Sequence, residues 1–322
     1  MIFRRDSLAT RARRQYAAYY DPQGHVVLAT RMLGETTWTR RMTSLSGDLR
    51  DAHNAISIAV DGAGILHVAW NHHTSPLQYC RSAKAGALDL SPPMPMIGEG
   101  ESRVTYPEFY EVPDDDLLFL YRDGISGDGR LMMNRYVTSA RKWVRVQEGL
   151  VSGEGRRSAY WQAAVDRRGV IHLSWVWRET PNVGTNHDLA YAVSGDGGKT
   201  WRRSSGEPYR LPITADSAEY AARIPQGSDL INQTSMCVDH HGRPIIATYW
   251  RPAATSVPQY HVVYNDGVSW HTAQVTRRTQ PFSLGGGARS GFRSRGPCFW
   301  HGHRWIAPRS FSSTATRNAA IG

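Results

Sequence analysis

The sequence predicts an all-β protein, a β-propeller of four-stranded antiparallel blades. Three observations predict it. A strand–turn–strand unit recurs along the chain. One eight-residue segment fits the Asp-box pattern S-x-D-x-G-x-T-W. And 322 residues carry 11 Trp, 15 Tyr, 30 Gly and 17 Pro, a balance that favours many short strands joined by tight turns.

The unit is a strand, an Asp-x-x-Gly type turn and a second apolar strand. It stands as YYDPQGHVVLA at Asp21, ISIAVDGAGILHVAW at Asp61, AAVDRRGVIHLSW at Asp166 and SMCVDHHGRPIIATYW at Asp239, with a weaker copy, FYEVPDDDLLFLY, at Asp114. The Asp residues lie 40, 53, 52 and 73 residues apart. A polar loop over 204–228 accounts for the long last interval. Within the strands the pattern has period two, as in Ile65, His67 and Ala69 against Leu66, Val68 and Trp70. Units of about 40–50 residues with four short strands are the signature of propeller blades. An outer strand with a Trp follows the unit, at Trp38, Trp143, Trp201 and Trp270.

In the Asp-box, Ser194-Gly-Asp196-Gly-Gly198-Lys-Thr200-Trp201, the Asp caps a hairpin turn, Gly supplies positive φ and Trp packs between blades. A degenerate copy runs from Tyr264 through Asp266 to Trp270. Both are structural. Five repeats and the start of a sixth near Pro297–Trp305 give about five blades and a fragment. The expected organisation is a basic leader over 1–14, with Arg4, Arg5, Arg11, Arg13 and Arg14, and one propeller domain over 15–322.

No apolar run reaches the roughly 18–20 residues of a membrane helix. Cys80, Cys237 and Cys298 form no C-x-x-C pair, so no disulfide framework or zinc knuckle is indicated. No 7–15-residue apolar segment follows the N-terminal arginines, so no secretory signal is read. With 38 Lys and Arg against 28 Asp and Glu, the net charge of +10 favours a polyanionic partner. The basic residues are scattered without a nucleic-acid motif, which points to an acidic polysaccharide instead.

Inner strands of a propeller converge on a funnel, so equivalent offsets from each repeat Asp face one another. Eight before the Asp stand His53 and Tyr106. Six before it stand Tyr160 and Gln233. Twelve after it stand His73, Arg178 and Arg251, and eight after Asp114 stands Arg122. A ring of His, Tyr and Arg can bind and process an anionic sugar. His67 and His172 lie inside inner strands and read as structural; His240 and His241 fall in a turn. No spacing supports a metal site, and no cofactor is expected.

The segments DAHNAISIAVDGAGILHV and WNHHTSPLQY, with TYPEFY, LLFLYRDG, AYWQAAVD, NHDLAYAVSGDGGKTW, INQTSM, IATYWRP and PFSLGGG, resemble the BNR-repeat proteins that include ulvan lyases. Related propeller enzymes act on rhamnose–glucuronic acid linkages. The resemblance covers residues 15–287. Family lyases carry two His about 20 residues apart, then a Tyr and an Arg 16 apart; His53 and His73, and Tyr106 and Arg122, match these spacings. The family fold has seven blades, and its members are usually secreted or periplasmic. The Cys and His ligands of the structural zinc in some members have no match here, and the family's SRP-like element reads Ser294-Arg-Gly-Pro297.

The resemblance implies β-elimination on a uronic acid by a monomer. Arg122 would neutralise the carboxylate with a bidentate fork. His53 and Tyr106 would be the base and acid, in an order left open, and His73 would help hold the carboxylate. Asn54, Tyr160, Arg178, Gln233 and Arg251 would bind substrate. Two alternatives share the fold. One is a hydrolase, sialidase-like with Arg122, Arg178 and Arg251 as an arginine triad, or rhamnosidase-like. The other is a non-catalytic acidic-glycan-binding propeller.

Overall fold

The computed structural model describes residues 7–282 with the exception of 233, so Gln233, Cys298 and the sixth repeat lie outside the described residues. The chain is all-β, with five antiparallel sheets in sequence order. The first holds β1 (Leu8–Arg11), β2 (Arg14–Tyr20), β3 (His25–Met32) and β4 (Thr39–Ser46). The second is built on β5 (Ile56–Val60) and β6 (Leu66–Trp70). After β7 (His73–Ser75) it is completed by β8 (Tyr79–Arg81). The third holds β9 (Val104–Glu111), β10 (Leu117–Ile125), β11 (Asp128–Val137) and β12 (Lys142–Gln147). The fourth holds β13 (Ser158–Val165), β14 (Ile171–Arg178), β15 (Asn186–Ser194) and β16 (Glu219–Ala222). The fifth holds β17 (Ser235–Val238), β18 (Pro244–Trp250), β19 (Gln259–Asn265) and β20 (Trp270–Gln274). Among the described residues no helix is long and apolar enough to cross a membrane.

The Asp turns recur in atomic detail. Asp21, Asp61, Asp166 and Asp239 each accept from the backbone N–H two and four residues on, at 2.8–3.0 Å. The glycine three residues on takes positive φ, from +79° to +88°, and closes the turn onto the Asp carbonyl. The third repeat departs from the predicted register. There Asp115, at φ +64°, fills the glycine position and donates to the carbonyl of Val112, so Val112 and not Asp114 stands where the other repeats place Asp. Tyr106 therefore lies six residues before its repeat position, in line with Tyr160 rather than with His53.

Period two sorts side chains to opposite faces of each sheet. Leu66, Val68 and Trp70 pack against Val26 and Leu28 of the first sheet, while Ala69 joins Phe109 and Phe119 of the third. Leu118, Leu120 and Met133 meet Leu173, Trp175 and Trp177 between the third and fourth sheets. Val176, Leu189 and Tyr191 meet Met236, Ile246 and Val263 between the fourth and fifth. The core is thus four interfaces between five successive sheets, the arrangement of propeller blades. No strand pairing joins the fifth sheet to the first among the described residues. Residues of β1, β5, β9, β13 and β17 line a shared central cavity of about 410 Å³.

The Asp-box works as expected. Asp196 accepts from the Thr200 N–H and hydroxyl and from Ser194. Trp201 donates to the Gly198 carbonyl and is fully buried. Two expectations are corrected. Residues 8–11 are not a leader: β1 pairs with β2 and sets Ala9 into the core. A four-residue strand is too short for its alternation to stand out among arginines. And the polar 204–228 segment carries β16, the outermost strand of the fourth sheet.

Leu173 is wholly buried at the centre of the largest interface. Leu173→Ala is expected to cost about 2–5 kcal/mol, read as a lowered urea midpoint.

Candidate active site

The four residues singled out by spacing meet at the boundary of the second and third sheets. β7 is the reason. It follows β6 in the chain but pairs with β9 of the next sheet, His73 opposite Thr105. The backbone around it is tightly held: Asn71 and Thr74 take φ of +64° and +56°, and the Thr74 N–H donates to Thr105 Oγ1 at 2.8 Å. His72 is completely buried, its Nε2 accepts the Gln78 N–H, and burial lowers its pKa to about 3, so it stays neutral and structural.

His73 stacks on His53, ring centroids 4.1 Å apart and planes 21° apart. His53 comes from the loop before β5. Asp51, which the sequence reading did not single out, holds both rings. Its Oδ1 bonds His53 Nδ1 and its Oδ2 bonds His73 Nδ1, each at 2.5 Å. The signal was present as Asp-x-His, a spacing that closes an Asx turn: Asp51 Oδ1 also accepts the His53 N–H at 2.9 Å. Burial lowers the His53 pKa, the Asp51 bond opposes that, and His73 lowers it further; the net shift is downward.

Tyr106 lies 5.8 Å from His53, ring to ring. It sits in a β-bulge, where Tyr106 and Pro107 together oppose Tyr121, between the pairs Glu108↔Leu120 and Thr105↔Arg122. Its φ of +57° is the left-handed region, a conformation that costs a non-glycine residue about 1–3 kcal/mol. Proline suits the bulge because it has no N–H to offer the ladder. Tyr-Pro inside a strand pattern is the sequence signal for this feature.

Arg122, on β10, stands under two rings, its guanidinium carbon 5.2 Å from the Tyr106 centroid and 5.6 Å from Tyr160. It is only 2% exposed, and its Nε and Nη1 have no hydrogen-bond partner among the described residues. The fork expected to meet a carboxylate is thus held behind the tyrosines. Beside it, Arg178 bonds Tyr160 Oη at 3.0 Å, Asn186 Oδ1 at 2.8 Å and Asn232, and Ser126 Oγ bonds Tyr160 Oη at 2.9 Å. Burial lowers the Arg178 pKa. Tyr160 and Arg178 are buried and form a floor to the cluster rather than an open subsite. Asn186, Asn232 and Ser126 were missed because they act only through Arg178 and Tyr160.

Two expected residues have other employment. Asn54 is buried, and its amide donates to the Asp48 carbonyl at 3.0 Å, so it braces the His53 loop. Arg251 bonds Asp229 at 3.4 Å and the Gly227 carbonyl. The ligand atoms of Asp51, His53 and His73 lie within 4.8 Å of one another, close enough to consider a metal. With each Nδ1 at hydrogen-bond distance from one Asp51 oxygen, the trio already forms two hydrogen bonds among its own members. His67 and His172 are buried against Tyr79 and Tyr191, each through Nδ1, as structural histidines.

Five successive antiparallel sheets with Asp turns and an Asp-box, and a His–Tyr–Arg cluster at a sheet boundary, are consistent with the blades of a BNR-type propeller. The chain belongs to the BNR repeat-containing family, whose model matches residues 14–278. Its fold is similar to that of the polysaccharide lyase Uly1, with a TM-score of 0.69 at 19% identity over 83% of this chain and 72% of that one. A PL25 ulvan lyase is similar at a TM-score of 0.68 and 17% identity, over 85% of this chain and 72% of its own. So is that family's ulvan lyase bound to -[GlcA(1-4)Rha3S]-, at 0.68 and 16%, over the same shares. No curated protein matches the chain in sequence.

A buried guanidinium with unpartnered nitrogens burdens the fold. Arg122→Met keeps the volume and removes the charge. Its urea midpoint is expected to equal or exceed that of the unaltered protein; a loss of about 2 kcal/mol or more would count against this account of Arg122.

Proposed function

We propose that this protein is a polysaccharide lyase that cleaves a uronic-acid-containing polysaccharide, ulvan-like or of rhamnose–glucuronate type, by β-elimination. The observation that carries the reading is the contact cluster of His53, His73, Tyr106 and Arg122. A ulvan lyase of similar fold binds a glucuronate–rhamnose-3-sulfate segment, and the net charge of +10 suits such a polyanion.

The reaction removes the proton on carbon 5, which the neighbouring carboxylate makes reluctant to leave. Positive charge must therefore balance the developing enediolate. The balancing charge comes from Arg122, fixed behind Tyr106, and His73, with its side chain 39% exposed, helps position the uronate beside His53. His53 takes the proton: its lowered pKa keeps it neutral near pH 7, the state a base requires. Tyr106, a phenol, protonates the leaving oxygen at carbon 4. The chain end then carries a 4,5-unsaturated uronate.

A glycosidase of the usual kind needs one carboxyl that stays protonated and a second opposite it. Asp51 meets neither need, since its carboxyl is ionised and both oxygens are engaged by histidines. The arginine triad of a sialidase is also poorly served, because Arg251 is tied to Asp229 and Gly227.

His53→Ala and Tyr106→Phe are each expected to lower formation of the unsaturated product by at least ~10²-fold, followed by ultraviolet absorbance on ulvan-type substrate. Reducing ends that accumulate without absorbance would assign the protein to hydrolysis instead. In the unaltered protein kcat/KM should hold at neutral pH and fall below pH 6.5, as acid protonates an imidazole whose pKa lies under its ordinary value.

A further inference from the structure

We propose that Asp51 is a positioning residue that fixes the tautomer of both histidines, so that each neutral ring carries its proton on Nδ1 and leaves Nε2 unprotonated. The kinetic test of this proposal rests on the lyase reading; the tautomers themselves do not.

The argument begins with the carboxylate. Burial would raise the Asp51 pKa, but the His53 N–H and the two imidazoles outweigh it and hold the group at about 2. At any working pH it is therefore an acceptor only. Both Nδ1 atoms lie at hydrogen-bond distance from it, one on each oxygen, so both must be donors. A neutral imidazole has one N–H, which leaves Nε2 without a proton in each ring. The two rings reach this carboxylate from different elements, His53 from its loop and His73 from β7. Neither local backbone dictates a tautomer, and the shared carboxylate does.

Asp51 is itself held. Its carbonyl accepts the Asn54 N–H at 3.2 Å, and the Asn54 amide ties the loop to Asp48. Among the described residues, Tyr106 from β9 and Arg122 from β10 also face the pair, and Asp48 lies near the Asp51 carboxylate. Rings stacked at 4.1 Å resist carrying two positive charges at once. An Asp51→Asn amide cannot serve two donors. It offers one oxygen and one NH₂, so one imidazole must turn its bare nitrogen inward and move its proton to Nε2.

The tautomers can be read by ¹⁵N NMR of imidazole-labelled protein above pH 8, with resonances assigned from His53→Gln and His73→Gln. Both histidines are expected to show Nδ1–H in the unaltered protein, which needs no variant. In Asp51→Asn one of the two should switch. kcat/KM should fall ~10²–10⁴-fold with a smaller change in KM, the acid limb of the pH profile should move, and formate should restore part of the activity of Asp51→Ala. An Nε2–H form of either ring in the unaltered protein overturns the proposal, as do resonances that shift on EDTA treatment, which would give the pair to a cation. Expected tautomers in a protein without lyase activity would uphold the clamp and reject the reaction.

Discussion

The cluster depends on one short strand changing sheets. β7 contributes only His73–Ser75, yet it leaves the blade that precedes it and pairs with β9 of the blade that follows. That exchange brings His73 onto His53 from one side and toward Tyr106 from the other. Face-to-face packing holds neighbouring blades together through apolar side chains, which are interchangeable within limits of volume. The β7–β9 pairing adds what packing cannot: a fixed register between two blades, set by backbone hydrogen bonds.

Around this junction the protein carries several local costs at once. Asn71, Thr74 and Tyr106 are non-glycine residues at positive φ, and Arg122 is a buried charge with two unpartnered nitrogens. Four of the five turns, by contrast, put glycine where positive φ is needed and satisfy the Asp, while the third places Asp115 there. Ala12, Arg141, Glu154, Asp188 and Asp229 take positive φ as well, so the feature that points to a role beyond stability here is the buried guanidinium of Arg122.

The scaffold was largely legible because it is local. An Asp turn spans five residues, period two spans a strand, and the Asp-box spans eight residues. Where the local rule failed, the structure shows why. Val112 replaces Asp in the third turn, so the conspicuous Asp114 shifted the register by two residues. His53, His73, Tyr106 and Arg122 were readable as polar residues flanking inner strands, although the shifted third turn put Tyr106 in line with His53 instead of Tyr160. Their depth was not: whether Arg122 lies in front of Tyr106 or behind it depends on a bulge and on the packing of a third sheet. Asp51 was passed over for a related reason. An Asp before a His suggests a turn, and only the fold reveals the second histidine that reaches it from 22 residues away.

A blade is also a unit of inheritance. Duplicating one copies its Asp turn, its apolar faces and its outer tryptophan, and four of the five turns here keep the Asp. A centre divided between two blades cannot be copied that way, since one duplicated blade carries half of it. The β7 exchange therefore ties the second and third sheets together: they must be kept as a pair if the contact of His53, His73 and Tyr106 is to survive.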